Sequence, residues 1–189
     1  MNKTKSAIFE SAVKVFSNYG YTGATMDEIV NVAGVAKGSL YYHFKSKEEL
    51  FNFIIEEGIN LISEEVNEAT KDIDNPLERI ETVARVQLKY VYDHKDFIKV
   101  IMSQIWGSED RNNIIRTKVK VLLDQSKNNF ERAINEGYIE NNDPIFSSYS
   151  FLGMLFSSAL YELLNEDDYD YDKVVDKFMT HLQYGIKVR

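Results

Sequence analysis

The chain of 189 residues has no cysteine, only two prolines and only nine glycines. Without cysteine, a disulfide framework, a cysteine-ligated zinc site and a cysteine nucleophile are all excluded. The scarcity of proline and glycine favours long helices, because these two residues are the strongest breakers of helical segments. No run approaches the roughly 18 apolar residues of a membrane-spanning helix, and the first ten residues lack the apolar core of a signal peptide. We therefore expect a cytoplasmic protein that does not contact a membrane.

Residues for catalysis or metal binding are also scarce. No histidine stands at a metal-ligand spacing from a second histidine, and the sequence lacks both a Gly-rich phosphate loop and a G-x-S-x-G nucleophile motif. The histidines are His43, His94 and His181. We predict no catalytic residue, no metal and no cofactor, and hence that the protein is not an enzyme.

One acidic run, EDDYDYD at 166–172, alternates Asp168, Asp170 and Asp172 in the manner of a calcium loop. An EF-hand loop that began at Asp168 would need glycine at its sixth position and glutamate at its twelfth. The chain has Lys173 and Met179 there. We interpret the run as a solvated loop in which Asp172 caps the last helix.

Negative charge predominates, but it is unevenly distributed. The net charge is −8. Residues 1–50 hold six lysines and five acidic residues, a net charge of +1, and the remaining 16 basic and 25 acidic side chains give residues 51–189 a net charge of −9. An acidic chain can still bind nucleic acid if the cations lie at the contact surface and the acidic part is held away from it.

Residues 25–44, TMDEIVNVAGVAKGSLYYHF, have the pattern of two short helices joined by a tight turn. Thr25 and Glu28 form a capping box that begins the first helix. Apolar side chains then recur at positions 26, 29, 30 and 33, which lie on one helical face. Gly34 follows at once and permits the left-handed backbone that ends a helix.

In the second short helix, Ala36, Leu40 and Phe44 are spaced by four and are predicted to face inward. The opposite face then carries glycine, hydroxyl, imidazole and ammonium groups, which suit close backbone approach and hydrogen bonding to a DNA duplex. Such a pair of helices is typical of the helix-turn-helix; the alternative is an ordinary helical hairpin with two exposed tyrosines. The predicted DNA-binding residues are Thr25, Lys37, Gly38, Ser39, Tyr41, Tyr42, His43, Lys45 and Lys47.

The run G-Y-x-x-x-T-M-x-x-I-V-x-x-A-G-V-x-K-G-S-L-Y-Y-H-F-x-S-K-E-E-L at 20–50 resembles the N-terminal signature of the TetR family of bacterial transcriptional regulators. The resemblance implies a homodimeric repressor that binds a near-palindromic operator and is released by a small effector. One position departs from the pattern, because Ala36 stands where the family usually has serine or threonine. A hydroxyl cap is therefore absent at the start of the predicted recognition helix.

Helical periodicity continues through the rest of the chain, without strand-like alternation or an internal repeat. A first helix is predicted over 3–19, with an apolar stripe that includes Tyr19 and an end at Gly20. Later helices are predicted at about 46–69, 77–92, 95–106, 112–136, 145–164 and 172–186. We predict an all-α fold of about nine helices, with a helix-turn-helix domain at 1–45 and an antiparallel helical effector-binding and dimerisation bundle at 46–189.

Aromatic and methionine side chains are plentiful between residues 76 and 164. They can pack a core, or they can line a cavity for an apolar or aromatic effector. The resemblance favours the cavity without fixing any residue of it. The candidate effector residues are Arg85, Gln87, Tyr90, Met102, Trp106, Phe130, Phe151 and Met154, with Gln104 and Arg116 as further polar candidates.

The eighth and ninth predicted helices are the candidate dimer surface, because small residues spaced by four permit close helix approach. The alternative is that this face covers the core of the single chain. The candidate interface residues are Gly153, Phe156, Ser157, Leu160, Phe178 and Leu182. A second interpretation of the whole chain is an architectural or cell-division DNA-binding factor of the same fold that is controlled by a protein partner.

Overall fold

The computed structural model describes residues 1–105, 112–140, 143–164 and 170–185, and all regular structure within these ranges is α-helical. The helices are α1 (Lys3–Gly23), α2 (Met26–Ala33), α3 (Lys37–His43), α4 (Lys47–Thr70), α5 (Pro76–Asp93), α6 (Lys95–Gln104), α7 (Asn112–Asn135), α8 (Pro144–Leu164) and α9 (Tyr171–Tyr184). The predicted all-α fold is confirmed. Trp106, predicted in α6 as an effector contact, lies outside the described residues.

Several helix ends follow from side chains that the sequence identified. The Asn75 carboxamide oxygen accepts from the backbone N–H groups of Leu77 at 2.9 Å and Glu78 at 3.2 Å, with proline at the first position of α5. After α7, Gly137 has a φ of 78° and its N–H donates to the carbonyl of Ile134. A residue at positive φ lets the chain leave a helix while its last carbonyls are satisfied, so glycine suits this position.

Two predictions at helix ends are wrong in detail. The chain does kink at Gly20, where φ is 66° and ψ is 174°, but helical structure resumes and α1 extends to Gly23. At α9 the cap is Asp170, whose carboxylate accepts from the N–H of Lys173 at 3.2 Å, and Asp172 lies inside the helix. The acidic run begins outside the described residues, at 166–169.

The chain divides into two compact units. The first contains residues 1–60 and 96–118, and the second contains 61–95 and 119–189. Helix α4 contributes its first part to one unit and its last part to the other. The predicted boundary after residue 45 separates the helix-turn-helix from all that follows, and it stays a prediction.

Aromatic packing organises the core of the first unit. Phe16 stacks on Tyr21 with ring centroids 5.9 Å apart, and Phe51 meets both rings edge-on at 5.3 and 5.1 Å. Tyr19, predicted in the apolar stripe of α1, is 56% exposed, so that part of the prediction is wrong. Tyr21, the first residue after the kink at Gly20, is half-buried and packs its ring on that core instead.

The second unit has its own apolar core. Phe151 of α8 meets Phe130 of α7 at 6.0 Å and Phe178 of α9 at 5.8 Å, both edge-on. Side chains from four helices complete the cluster: Ile80, Val83, Ala84, Leu88, Ala133, Leu155, Val175 and Met179. Removal of these apolar side chains from water is the main contribution to the stability of this unit.

Candidate DNA-binding surface

The α2–α3 pair has the local geometry that the sequence predicted. The Thr25 hydroxyl accepts from the Glu28 N–H at 3.2 Å, and Gly34 ends α2 in the left-handed conformation with φ 62° and ψ 24°. Leu40 and Phe44 are buried and hold one side of α3 against the first unit. Ala36, which was also predicted to face inward, is exposed and gives α3 no side-chain cap. Since α3 begins at Lys37, Ala36 precedes the helix and does not share its buried face.

The opposite side of α3 is open to solvent. Tyr42 is 77% exposed and Tyr41 is 38% exposed, while Ser39 and His43 are half-buried at the edges. A Cβ added at Gly38 would meet nothing within 4 Å, so the backbone of α3 is accessible there. Phenol, hydroxyl and imidazole groups therefore flank one stretch of bare backbone, and a phosphate or a base edge can approach it directly.

The predicted lysines are in different environments. Lys37 forms an exposed ion pair with Asp27 at 2.6 Å, and the hydrogen bond to that carboxylate raises the pKa of Lys37. The ammonium of Lys45, also exposed, donates to the carbonyl oxygen of Tyr41 at 3.3 Å. Exposed ion pairs of this kind are weak, so a phosphate can replace Asp27 as the partner of Lys37 at little cost.

Lys47 differs from both. Its ammonium donates to the carbonyls of Tyr21 at 2.7 Å, Ala24 at 2.9 Å and Thr22 at 3.4 Å, and it lies 4.7 Å from the centre of the Tyr21 ring. No local sequence pattern indicates this arrangement, because more than twenty residues separate the lysine from its acceptors.

The candidate effector residues are distributed over both units. Phe130 and Phe151 are buried together in the core of the second unit, with Met154 packed against it. Arg85 is exposed on α5, and its carbonyl accepts from the Tyr171 hydroxyl at 3.3 Å. Three other candidates belong to the first unit: Met102, Gln104 and Arg116.

Gln87 and Tyr90 are the most deeply buried polar candidates. Gln87 is 8% exposed, and its Oε1 atom has no hydrogen-bond partner. Tyr90 is 3% exposed, and burial raises the pKa of its phenol, with a smaller contribution from the negative charge of Glu65. A buried acceptor without a partner is unfavourable, and it is the kind of group that a bound ligand satisfies.

Helix α8 leaves a continuous apolar strip exposed. Phe146 is 65% exposed, Tyr149 60%, Leu160 48% and Leu164 74%. These residues lie on one side of the helix, because neighbours on a helical face are three or four positions apart and about three turns separate Tyr149 from Leu160. Gly153 and Ser157, two of the predicted dimer residues, are exposed on the same strip, and Phe156 is half-buried beside it.

Two other predicted dimer residues belong to the core of the single chain. Phe178 is 4% exposed, and Leu182 is partly buried against the same cluster. Their helical periodicity is the same whether they face a partner or a core, so the sequence did not separate these roles. A groove of about 470 Å³ runs between α8 and α9 and is lined by residues that include Met154, Ser157, Tyr161, Lys177 and His181.

Within the described ranges, no group of three or more histidine, aspartate or glutamate side chains is arranged to hold a metal ion. His94 is the C-cap residue of α5, and His181 is exposed on α9. None of the described helices is long and apolar enough to cross a membrane.

The sequence model for "Bacterial regulatory proteins, tetR family" matches residues 8–54, which include α2, α3 and the start of α4. Over its whole length the chain is similar to a solved Clostridium perfringens protein assigned as a regulator of fatty acid metabolism. That similarity has 37% identity and a TM-score of 0.90, and it covers 97% of this chain and 100% of the other.

Two further relatives extend the comparison. The solved structure of AibR in complex with isovaleryl coenzyme A and operator DNA is 27% identical, with a TM-score of 0.80 and coverage of 97% of this chain and 99% of that one. The uncharacterised HTH-type transcriptional regulator YhgD of Bacillus subtilis strain 168 is 28% identical over 149 residues, which are 78% of each chain. YhgD is named as a transcriptional regulator and AibR was solved with operator DNA, which agrees with the DNA contact predicted for α3.

Proposed function

Because this chain belongs to the TetR family of bacterial regulatory proteins, we propose that it is a homodimeric repressor whose affinity for a near-palindromic operator falls when an acyl thioester of coenzyme A binds. The chain is a DNA-binding transcriptional regulator. We further propose that it is a dimer, that it represses transcription, and that its effector is an acyl thioester. It also places the protein in the cytoplasm, with its DNA, and assigns it no catalytic role.

We propose that the exposed side of α3 contacts DNA. Leu40 and Phe44 bury the inner side of the helix, so Tyr42 and the bare backbone at Gly38 face outward. We assign base-edge and phosphate contacts to this side, with Lys37 released from Asp27 on binding. The Thr25 hydroxyl and the positive end of α2 lie at the helix start, where a phosphate is favourable.

Dimerisation is proposed from geometry. Two recognition helices must reach successive major grooves about 34 Å apart, which a single copy of α3 cannot do. The exposed strip of α8 supplies large apolar side chains at Phe146 and Leu160 around Gly153, where a partner helix can approach closely. A strip of this kind in a monomer marks an interface with another protein, and a two-fold symmetric operator implies a second copy of the same chain.

The effector class is proposed from two relatives and one buried group. AibR binds isovaleryl coenzyme A, and the protein at 37% identity is named for fatty acid metabolism. Gln87 supplies a buried acceptor without a partner on the buried, apolar side of the amphipathic helix α5. An acyl thioester offers both an apolar chain and polar amide groups, so it suits an apolar interior that contains one unsatisfied polar side chain.

Ligand control requires that the effector bind one conformation better than the other. We propose that this second conformation has a shifted α4, since α4 contributes residues to both units. Control by a protein partner is not favoured, because a relative has been solved with a small thioester and operator DNA together.

The test is operator binding by a variant of the most exposed recognition-helix side chain. Tyr42→Ala should weaken binding to the chain's own upstream DNA by roughly 5- to 150-fold, as expected for the loss of one good base or phosphate contact. Tyr138→Ala is the matched control, because Tyr138 is a 46% exposed tyrosine outside α3. Both variants should keep the dimer. Equal affinity for wild type and Tyr42→Ala, measured by fluorescence anisotropy, would remove Tyr42 from the contact surface.

A further inference from the structure

The carbonyl groups of residues 21, 22 and 24 converge at the junction between α1 and α2. They belong to the last turn of α1 after its kink and to the residue before the N-cap of α2. Carbonyls at a helix C-terminus have no partner within the helix and carry partial negative charge. A cation placed among them therefore stabilises the end of α1 and fixes the position from which α2 begins.

Lys47 supplies that cation from the first position of α4. Its Nζ lies 2.7 Å from the Tyr21 oxygen, 2.9 Å from that of Ala24 and 3.4 Å from that of Thr22. A lysine ammonium has three protons, so the three acceptors use its whole hydrogen-bonding capacity. Lys47 as a whole is half-buried, and its ammonium lies 4.7 Å from the centre of the Tyr21 ring.

A second set of bonds joins the same end of α4 to the short connection that follows α3. The Ser46 hydroxyl accepts from the Glu49 N–H at 3.0 Å, and the Glu49 carboxylate accepts from the Lys45 N–H at 2.7 Å. The predicted capping box is thus present, with its return bond made to Lys45. The first turn of α4 is consequently bonded on one side to the α1–α2 junction and on the other to the residue that follows the C-cap of α3.

We infer that Lys47 is a positioning residue for operator binding: it ties the α1–α2 junction to α4, so that α2 and α3 follow α4 as one body, and it does not act through a DNA phosphate. This inference rests on the proposed function and specifies how α4 controls the recognition helix. Ala24, one of the three acceptors, immediately precedes Thr25, the N-cap of α2. The bond to Lys47 therefore holds the chain at the residue before α2 begins.

Two substitutions separate positioning from a phosphate contact. Lys47→Met keeps the apolar stem but removes the donors. Lys47→Arg keeps the positive charge, and a guanidinium binds phosphate at least as well as an ammonium does. Its planar fork, however, does not direct three protons at three converging carbonyls. We expect both variants to lose roughly tenfold or more in operator affinity, at a temperature where circular dichroism shows them fully folded.

The salt dependence gives an independent result. Loss of one phosphate contact reduces the slope of log affinity against log salt by about 0.9, so Lys47→Met should leave the slope unchanged. The matched control is Lys45→Met, an exposed lysine predicted to meet phosphate, which should reduce the slope. A lower slope for Lys47→Met together with normal binding by Lys47→Arg would overturn the inference. Unchanged affinity in both, with only a lower melting temperature, would also overturn it.

The clamp can also be tested in the free protein. In Lys47→Met, amide hydrogen exchange should become faster at residues 21–28, and it should be unchanged in α5 and α9. Equal exchange at 21–28 in wild type and variant would show that Lys47 does not hold the junction. A wild-type chain that bound no duplex would refute the proposed function. The exchange experiment contains no DNA, so it would still test whether Lys47 holds the junction.

Discussion

Replacement of Gly38 by alanine should raise the stability of the protein and lower its affinity for DNA. Gly38 is the second residue of α3, its φ is not in the left-handed region, and a Cβ there would meet nothing within 4 Å. Nothing in the free protein therefore opposes the substitution. Alanine is favoured over glycine in a helix interior by about 1 kcal/mol, and somewhat less is expected in a first turn.

The two effects can be estimated separately. A stability gain of up to about 1 kcal/mol raises the melting temperature of a chain of this size by about 2–4 °C. In the operator complex the same methyl group would stand between the backbone of α3 and the DNA. Extra volume in a well-packed contact costs about 1–3 kcal/mol, which corresponds to a roughly 5- to 150-fold loss of affinity.

The assay pairs thermal unfolding with an anisotropy titration of the operator fragment. Asn67→Ala is the control, because Asn67 is exposed in the part of α4 that belongs to the second unit. It should also gain stability, since alanine is the better helix former, but it should bind DNA as wild type does. If Gly38→Ala gained stability and bound the operator with undiminished affinity, the backbone of α3 would not approach DNA and our assignment of the surface would be refuted.

Three further predictions concern the rest of the chain. Gly58→Ala should lower the melting temperature by about 2–10 °C, because the new Cβ would lie 2.8 Å from Cε1 of the buried Phe97 ring and closer still to Cζ and Cε2. Phe97→Leu in the same chain should restore part of the loss. Gly38→Ala, whose Cβ would meet nothing within 4 Å, is the control and should not lower the melting temperature. Gln87→Leu should leave the free energy of unfolding unchanged or raise it by about 1 kcal/mol, because it removes a buried acceptor without a partner. The concentration of acyl coenzyme A needed to release the operator should nevertheless rise roughly tenfold. An unchanged concentration would exclude Gln87 as an effector contact. Leu160→Glu should raise the dimer dissociation constant at least tenfold in analytical ultracentrifugation, because it places a charge on the exposed strip of α8. Leu77→Glu, at a 37% exposed leucine of α5, is the control and should leave the constant unchanged. A dimer unaffected by Leu160→Glu would place the interface elsewhere.

The helices were predictable because local chemistry determines where they begin and end. Thr25 and Asn75 cap α2 and α5 through bonds to residues two or three positions away. Gly34 and Gly137 adopt the left-handed or positive-φ backbone that ends a helix. These signals depend only on near neighbours in the chain, so the sequence displays them directly.

Features that depend on distant residues were not predictable. Tyr19 is exposed although it continues the apolar spacing of α1, whereas Tyr21, which follows the kink at Gly20, packs on Phe51. Phe178 has the same helical spacing whether it faces a core or a partner, and packing against Phe151 decides in favour of the core.

For the candidate site, the exposed α3 side chains were evident from periodicity, whereas two groups have roles that only the fold reveals. The bonds of Lys47 cross more than twenty residues of sequence. The missing partner of Gln87 depends on every side chain that surrounds it in the folded unit.

The most direct measurement is an anisotropy titration of the full-length protein with the DNA upstream of its own gene and with a shuffled duplex of equal length and composition. We expect a preference for the upstream DNA of about 10³-fold or more, reduced at least tenfold by a medium-chain or long-chain acyl coenzyme A and unaffected by free coenzyme A. Equal affinity for the two duplexes at every salt concentration would contradict the account.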